Sequence, residues 1–193
     1  MMRFIVFMLV VSFWASPCFA QDPQARIILR PMVDISDQWY LASWVIGNVR
    51  TETPNNINVF GGAGFRGQRW WFESMIQRQW SDIGRNWMLD FRYQKQFAQH
   101  GTLYLEAAPF LTRLALYHFV IYEHPALFGF NLGVETENVS KSGLDSLGAG
   151  PRVSRGLVSI GGFNTSVATS YQIRRREPDA MRIYLVLSRR FGL

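Results

Sequence analysis

The sequence predicts an all-β protein, an antiparallel up-and-down transmembrane β-barrel of ten strands. Three observations predict this fold. Apolar and polar residues alternate with a period of two, turn-forming residues separate the alternating segments, and the chain beyond its N-terminal region has no run of 18 apolar residues. Residues 86–97, NWMLDFRYQKQF, show the alternation clearly: Trp87 and Phe91 share one face, and Asp90 and Arg92 share the other.

The first half of the chain contributes five candidate strands, of which the last two alternate most regularly: 26–35, 39–50, 57–65, 69–81 and 86–97. The fourth segment places Trp70 and Ile76 on one face, and Glu73 and Gln77 on the other. Aromatic residues near strand ends and an alternation of apolar with polar side chains are typical of barrel strands that face lipid outside and a polar lumen inside.

The second half contributes five more candidates: 102–113, 126–138, 147–154, 163–174 and 181–193. Residues 114–125, LALYHFVIYEHP, do not alternate cleanly, and we expect either an additional strand or a short interfacial helix there. An even count of ten would let both termini lie on one side of the barrel. If 26–35 forms an arm and 147–154 a loop, eight strands remain.

Turn-forming residues separate most of these segments: 53–56, 67–68, 82–85, 100–101, 141–143 and 177–179. A parallel connection needs a dozen or more residues, whereas antiparallel strands can be joined by a tight turn. Connections this short therefore predict antiparallel neighbours.

The N-terminal residues have the pattern of a cleaved secretory signal, predicted to cover residues 1–20. A basic Arg3 precedes an apolar run over 4–14, and Ala20 ends a segment that resembles a signal-peptidase site. Residues 21–193 are then predicted to form a single domain. The one cysteine, Cys18, lies inside the signal, so we expect no disulfide in the mature chain.

The charge balance of the mature chain is basic, because removal of Arg3 leaves 19 basic against 14 acidic side chains. A basic surface permits contact with anionic lipid headgroups, whereas nucleic acid is not an expected partner of an exported chain. Only Lys95 and Lys141 are lysines. Polar faces so poor in lysine argue against a soluble barrel that turns them towards water.

The signal, the alternating strands, the aromatic strand ends and the final segment MRIYLVLSRRFGL together resemble the small outer-membrane β-barrels of Gram-negative bacteria. The resemblance covers 26–193. It implies residence in the outer membrane, contact with its lipid and lipopolysaccharide, and insertion by the outer-membrane assembly machinery. That family usually ends in Phe or Trp, whereas this chain ends in Leu193 with Phe191 two places earlier on the same face.

With the apolar faces outward, a polar network is predicted to line the lumen: Glu73, Asp90, Arg92, Glu106, Glu135, Arg182 and Arg190. Aromatic residues are predicted to set the height in the membrane: Trp70, Trp71, Trp80, Trp87 and Tyr93. A narrow barrel is filled by side chains, and buried charges must be paired or hydrated. A salt-bridged plug is the first interpretation, and a charged pore is the second.

The sequence favours a non-enzymatic role in envelope structure, surface interaction or porin-like passage of a small solute. A lipid-modifying barrel that acts on lipid A is one alternative, with His100, His118 and His124 as its candidate bases. Glu123 adjoins His124, but neighbours in a strand point to opposite faces. A soluble periplasmic ligand-binding barrel is the other alternative. We expect no cofactor and no metal, and the sequence does not predict the oligomeric state.

Overall fold

A computed structural model describes residues 22–50, 55–81, 84–98, 100–140 and 146–192. The predicted signal over 1–20 lies outside the described residues, as do the turn residues 53–54, 82–83 and 141–143 and the terminal Leu193. In the described part of the chain, no helix is long and apolar enough to cross a membrane.

Eleven strands carry the fold: β1 (Asp22–Asp34), β2 (Trp39–Arg50), β3 (Asn56–Arg66), β4 (Trp70–Ser81), β5 (Gly84–Phe97), β6 (Gly101–Pro109), β7 (Leu116–Pro125), β8 (Phe130–Ser140), β9 (Gly148–Gly156), β10 (Asn164–Arg174) and β11 (Ala180–Phe191). A 3-10 turn, Leu127–Gly129, connects β7 to β8. Each strand pairs with its sequence neighbours in antiparallel register, and β1 pairs with β11 to close the barrel.

The all-β barrel is confirmed, but ten strands is one too few, and eight is wrong as well. The candidates 26–35 and 147–154 correspond to β1 and β9, and β7 adds a strand over 116–125. The alternation of β7 is weak because both of its faces are apolar. Phe119 is buried inside the barrel, whereas Leu116 and Tyr122 are exposed outside.

The odd strand number places the start of β1 and the end of β11 at opposite ends of the barrel. In the parallel pair, Asp22 lies beside Ala180 and Val33 lies beside Phe191. The expectation that both ends of the barrel domain share one side is therefore wrong for these described strand ends, because the additional strand β7 reverses the chain once more. We call the end that holds Asp22 the first rim and the end that holds Phe191 the second rim.

Some strand boundaries also differ from the predicted ones. The strand predicted over 126–138 begins only at Phe130, because Phe128 and Gly129 have positive φ angles of 60° and 73° and turn the chain. The strand predicted over 102–113 ends at Pro109. Proline has no N–H to donate to a sheet, which favours a strand end at this position.

Away from their ends, the strands turn their charges inward and most of their apolar side chains outward. In β1, Gln24 and Arg26 are buried while Ala25 and Ile27 are exposed. The interior is not uniformly polar, however. An apolar cluster fills it on the side formed by the first four strands: Met32, Tyr40, Ala42, Trp44, Phe60 and Met75.

The apolar cluster requires a glycine beside Tyr40. A Cβ atom at Gly64 would lie 2.2 Å from Cζ of Tyr40, whose ring is buried and whose hydroxyl donates to Glu73. The outward-facing Gly61 of the same strand has open space where a Cβ would stand.

We therefore expect Gly64→Ala to lower the free energy of unfolding by about 1–3 kcal/mol, the usual cost of overpacking a filled interior. The matched variant Gly61→Ala should change it little. Denaturant titration of the folded protein, followed by tryptophan fluorescence, measures both. Equal stability of the two variants would contradict the packing described for Tyr40.

Candidate functional site: the charged barrel interior

Glu135 of β8 is fully buried, and its carboxylate accepts many hydrogen bonds. It accepts hydrogen bonds from five side chains on the three strands that follow: Arg152, Ser170, Gln172, Arg182 and Tyr184. The closest are Arg152 Nη1 and Tyr184 Oη, each 2.6 Å from a carboxylate oxygen. Charge-assisted hydrogen bonds of this kind are the strong ones in proteins.

The hydrogen bonds around Glu135 extend to the parallel pair of β1 and β11, which closes the barrel. Arg182 donates from Nε to Oε1 of Gln24 on β1 at 3.0 Å and also pairs with Glu137. Arg26 of β1 lies 3.0 Å from Glu137, which also accepts from the Tyr117 hydroxyl at 2.8 Å. The network therefore connects β1 with β7, β8 and β11 through side chains.

A second cluster surrounds Glu73 of β4, which is also fully buried. Arg30 Nη2 lies 2.5 Å from Glu73 Oε1, Tyr40 donates to the same oxygen at 3.0 Å, and Trp44 donates to Oε2 at 2.8 Å. The guanidinium of Arg30 lies 4.7 Å from the ring centre of Trp44 and 4.4 Å from that of Trp71. Cation–π contact and ion pairing together fix this arginine.

A third cluster centres on Arg92 of β5. Its Nε lies 2.6 Å from Asp90 and its Nη2 lies 3.4 Å from Glu106, which also accepts from the Tyr104 hydroxyl at 2.7 Å. The guanidinium of Arg92 lies 4.2 Å from the ring centre of Trp44. Trp44 therefore contacts both Arg30 and Arg92.

Six of the seven residues predicted for the lumen lie buried inside the barrel: Glu73, Asp90, Arg92, Glu106, Glu135 and Arg182. Arg190 differs, because it lies at the second rim with its side chain 52% exposed and 3.7 Å from Asp34. It is one residue from the end of β11. A position so close to the strand end leaves the side chain in the mouth of the barrel.

The aromatic residues predicted for the membrane interface lie on the outer surface at both rims. Trp70 and Tyr93 lie at the second rim with ring centres 6.4 Å apart, and Trp80 and Trp87 lie at the first. Trp71 was wrongly assigned to this set. As the neighbour of Trp70 it points inward, where its ring lies against Arg30.

Two cavities occupy the interior, one above the other. The first-rim cavity, of about 240 Å³, is lined largely by amides and ions, among them Asn48, Asn58 and Gln77. The second-rim cavity, of about 260 Å³, is lined by arginines and by apolar and aromatic side chains. Four residues line both and mark the layer between them: Arg26, Ile46, Glu106 and Tyr117.

Three buried guanidinium nitrogens have no hydrogen-bond partner among the described residues: Nε of Arg26, Nε of Arg30 and Nη1 of Arg92. All three arginines line the second-rim cavity. A buried donor left without a partner costs about 1–3 kcal/mol, more when it is charged.

The histidines do not converge on an acid–base group. His118 Nε2 lies 3.0 Å from Asn138 Nδ2, and His124 Nδ1 lies 2.7 Å from the Pro125 carbonyl oxygen. Glu123 points inward and accepts from Arg152 at 2.8 Å, away from His124. Among the residues that the structure describes, no group of three or more His, Cys, Asp or Glu side chains is arranged to hold a metal ion.

Sequence reasoning missed three arginines of the interior, Arg26, Arg30 and Arg152. Arg26 and Arg30 share the inward face of β1 with Ile28 and Met32, and these two apolar residues interrupt its polar pattern. Arg152 lies in the segment 147–154, for which a loop was the alternative to a strand. A strict two-residue period carried through both segments would have placed them inside.

Comparison of the chain with protein-family models, with curated proteins and with solved structures finds no match.

The Glu135 contacts give a direct test of the network. Glu135→Gln keeps the size of the side chain but leaves Arg152 and Arg182 short of a buried countercharge. We expect a loss of about 3–5 kcal/mol in the free energy of unfolding, the usual cost of breaking a buried ion pair.

Asp34→Asn is the matched control, because Asp34 pairs with Arg66 at 2.8 Å in the partly exposed second rim. Exposed pairs contribute about 1 kcal/mol or less. Urea unfolding of the folded protein measures both. Equal losses for the two variants would contradict the central position of Glu135.

Proposed function

We propose that this protein is a non-enzymatic outer-membrane β-barrel whose ion-paired interior makes it a closed structural element of the envelope. The observation that supports this proposal is that buried charged side chains lie inside the barrel and exposed apolar side chains lie outside. Fully buried carboxylates such as Glu73 and Glu135 lie inside, while large apolar side chains such as Ile76 and Leu132 are more than half exposed outside. Water outside would leave that apolar surface exposed, whereas lipid outside would cover it.

The separation of the outer aromatic residues supports the proposal. Trp70 and Trp80 are ten residues apart on β4. At roughly 3.3 Å per residue they are about 33 Å apart along the strand, and a tilt near 40° reduces this to a height of about 25 Å. That height matches the apolar band of outer-membrane barrels, which is about 25 Å tall and lies between two aromatic girdles.

Outward cations near the rims fit the same picture. The Arg78 guanidinium lies 4.4 Å from the ring centre of Trp87 at the first rim. At the second rim, Arg189 lies 4.8 Å from the ring centre of Phe191. Long cationic side chains that extend past interfacial aromatics towards the headgroups are typical of membrane proteins. Anionic lipid and lipopolysaccharide are the partners that this arrangement fits.

The interior favours a plug over an open pore. Arg26 pairs with Glu137 and Arg30 pairs with Glu73 on strands that are not neighbours, and Arg26, Glu106 and Tyr117 lie in the layer between the two cavities. A conducting pore would need a continuous water-filled path, lined by charge of one sign where it selects ions. An interior of paired charges of both signs provides neither a continuous water-filled path nor a lining of one charge sign.

The proposal is tested by cell fractionation, followed by gel migration of the outer-membrane fraction with and without boiling. We expect the protein in the outer membrane with heat-modifiable migration, and no steady conductance in planar bilayers. A periplasmic protein that purifies without detergent would instead support the soluble ligand-binding barrel. A change in lipid A mass on expression would support the lipid-modifying enzyme.

Lipid exposure also predicts a stability difference between two isoleucines. Ile76 lies midway along β4 and is 55% exposed, whereas Ile57 lies one residue from the start of β3 and is 53% exposed. Ile76→Arg should cost about 2–4 kcal/mol at the bilayer midplane, and Ile57→Arg about 0–1 kcal/mol near the interface.

Unfolding titrations of both variants in lipid vesicles measure the difference. Similar costs at the two positions would argue against a bilayer around the barrel, because in water two equally exposed sites tolerate arginine equally well.

A further inference from the structure

We propose that two neighbouring loops at the second rim insert apolar side chains into the interface of a phospholipid bilayer. The loops are residues 126–129, between β7 and β8, and residues 157–163, between β9 and β10. We call these two loops the rim anchor. The inference rests on the outer-membrane location proposed above, and it adds a lipid contact that the strands themselves do not make.

The rim anchor exposes large apolar side chains beyond the strands. Leu127 and Phe128 are 78% and 75% exposed, and Val158 and Ile160 are 77% and 62% exposed. The two loops are neighbours because β8 pairs with β9. Contiguous exposed apolar surface of this kind marks a contact with a protein or with a membrane.

Two outward-facing side chains bond loop 157–163 to the outer face of the barrel. The buried residues of β11 have even numbers, so Leu187 and Arg189 face outward, as does Thr165, the partner of Leu187 in the register. The Thr165 hydroxyl donates to the Val158 carbonyl oxygen at 2.6 Å. Arg189 Nη1 donates to the Gly161 carbonyl oxygen at 3.2 Å. The loop therefore continues the outer apolar surface.

The height of loop 157–163 favours lipid as the group that covers it. Its Val158 carbonyl is bonded at the level of Leu187, four residues before the outer aromatic residue Phe191. At roughly 3.3 Å per residue this is about 13 Å along the strand, or about 10 Å in height at a tilt near 40°. Val158 thus lies on the bilayer side of Phe191, where a membrane supplies lipid and a soluble partner has no access.

The backbone of loop 157–163 is bonded within the protein, as a segment at the edge of the bilayer requires. Ile160 and Phe163 exchange two N–H···O bonds of 2.9 Å. Between them, Gly161 and Gly162 have φ angles of 58° and 78°, which are typical of a type I′ turn. The Ser159 hydroxyl donates to the Phe163 carbonyl oxygen at 3.0 Å. Unbonded backbone groups are costly away from water, so these bonds let the turn present Ile160 to lipid.

The charges around the rim anchor suit lipid phosphates. Residues 126–130 and 155–164 contain no acidic side chain. Arg155 lies 4.9 Å from the ring centre of Phe130, and Arg189 lies 5.5 Å from that of Phe163. Neither arginine has an ion pair among the residues that the structure describes. Guanidinium groups beside interfacial aromatic rings are well placed to donate to phosphate oxygens.

The test is fluorescence quenching at single cysteines in the chain that begins at residue 21, which has no cysteine of its own. Ile160→Cys reports the rim anchor, and Ile76→Cys reports the outward face of β4. Gln68→Cys is the matched control, because Gln68 is exposed in the turn between β3 and β4 at the same rim. Each cysteine carries a nitrobenzoxadiazole fluorophore, and the vesicles contain phosphatidylcholine, phosphatidylglycerol and a lipid with a nitroxide near the headgroup end of its acyl chain.

We expect the labels at Ile160 and Ile76 to be blue-shifted and quenched by the nitroxide lipid, and the label at Gln68 to stay in water. Quenching at Ile76 without quenching at Ile160 would overturn the rim anchor and leave the outer-membrane location intact. Absence of quenching at both positions would overturn the location and the anchor with it. Equal quenching at Ile160 and Gln68 would overturn the anchor, because the whole rim would then lie in lipid.

A second copy of the chain is the rival occupant, and the same labels detect it. A blue shift of the Ile160 label that grows with the ratio of protein to lipid, without quenching by the nitroxide lipid, would identify that copy and overturn the lipid contact.

A charge variant tests the phosphate contact. Arg155→Glu should weaken the quenching of the Ile160 label, because lipid phosphates repel a carboxylate beside the loop. Arg175→Glu is the matched control, since Arg175 is exposed in the connection between β10 and β11 at the first rim. It should leave this quenching unchanged, and equal losses for the two variants would contradict the contact. If Arg155→Glu fails to fold, the comparison of Ile160 with Gln68 decides, because it leaves every charge in place.

Discussion

The pairing of buried carboxylates with arginines is the constraint on which the rest of this barrel depends. Glu135 accepts hydrogen bonds from side chains of β9, β10 and β11. One of these donors, Arg182, also donates a hydrogen bond to Gln24 of β1. Neither charge would be tolerated alone inside a closed sheet, because an unpaired buried ion costs several kcal/mol. Once the charges are inside and paired, the pleat of each strand leaves the apolar side chains outside.

The same contacts explain how an odd number of strands closes. Parallel pairing is slightly less stable per residue than antiparallel pairing, and β1 meets β11 in this weaker arrangement. Side chains of β1 compensate by bonding across the interior, as Asp22 does to Arg174 and Arg26 does to Glu137. The β1–β11 pair is therefore stabilised by the hydrogen bonds between the two strands and by ion pairs from β1 to other strands.

Much of the fold was predictable because alternation along a strand depends on neighbours only. The inward and outward faces of β4 and β5 follow directly from residues such as Glu73, Phe72, Asp90 and Phe91. Strands that are apolar on both faces gave no such signal, which is why β7 was not counted and why Trp44 was not placed inside. The partners of Glu135 were not predictable, since the register around a closed barrel decides which inward residues meet.

The central claim is that the outer face contacts lipid while the charged face does not. In a protein that begins at residue 21, which has no other cysteine, single cysteines introduced along β4 from Trp70 to Ser81 can carry spin labels after reconstitution into vesicles. Collision with oxygen then reports lipid exposure at each position. The account predicts a period of two, with high oxygen collision at the outward positions Phe72, Ser74 and Ile76 and low collision at Glu73 and Gln77. Outward positions that collide instead with a water-soluble nickel reagent would contradict it.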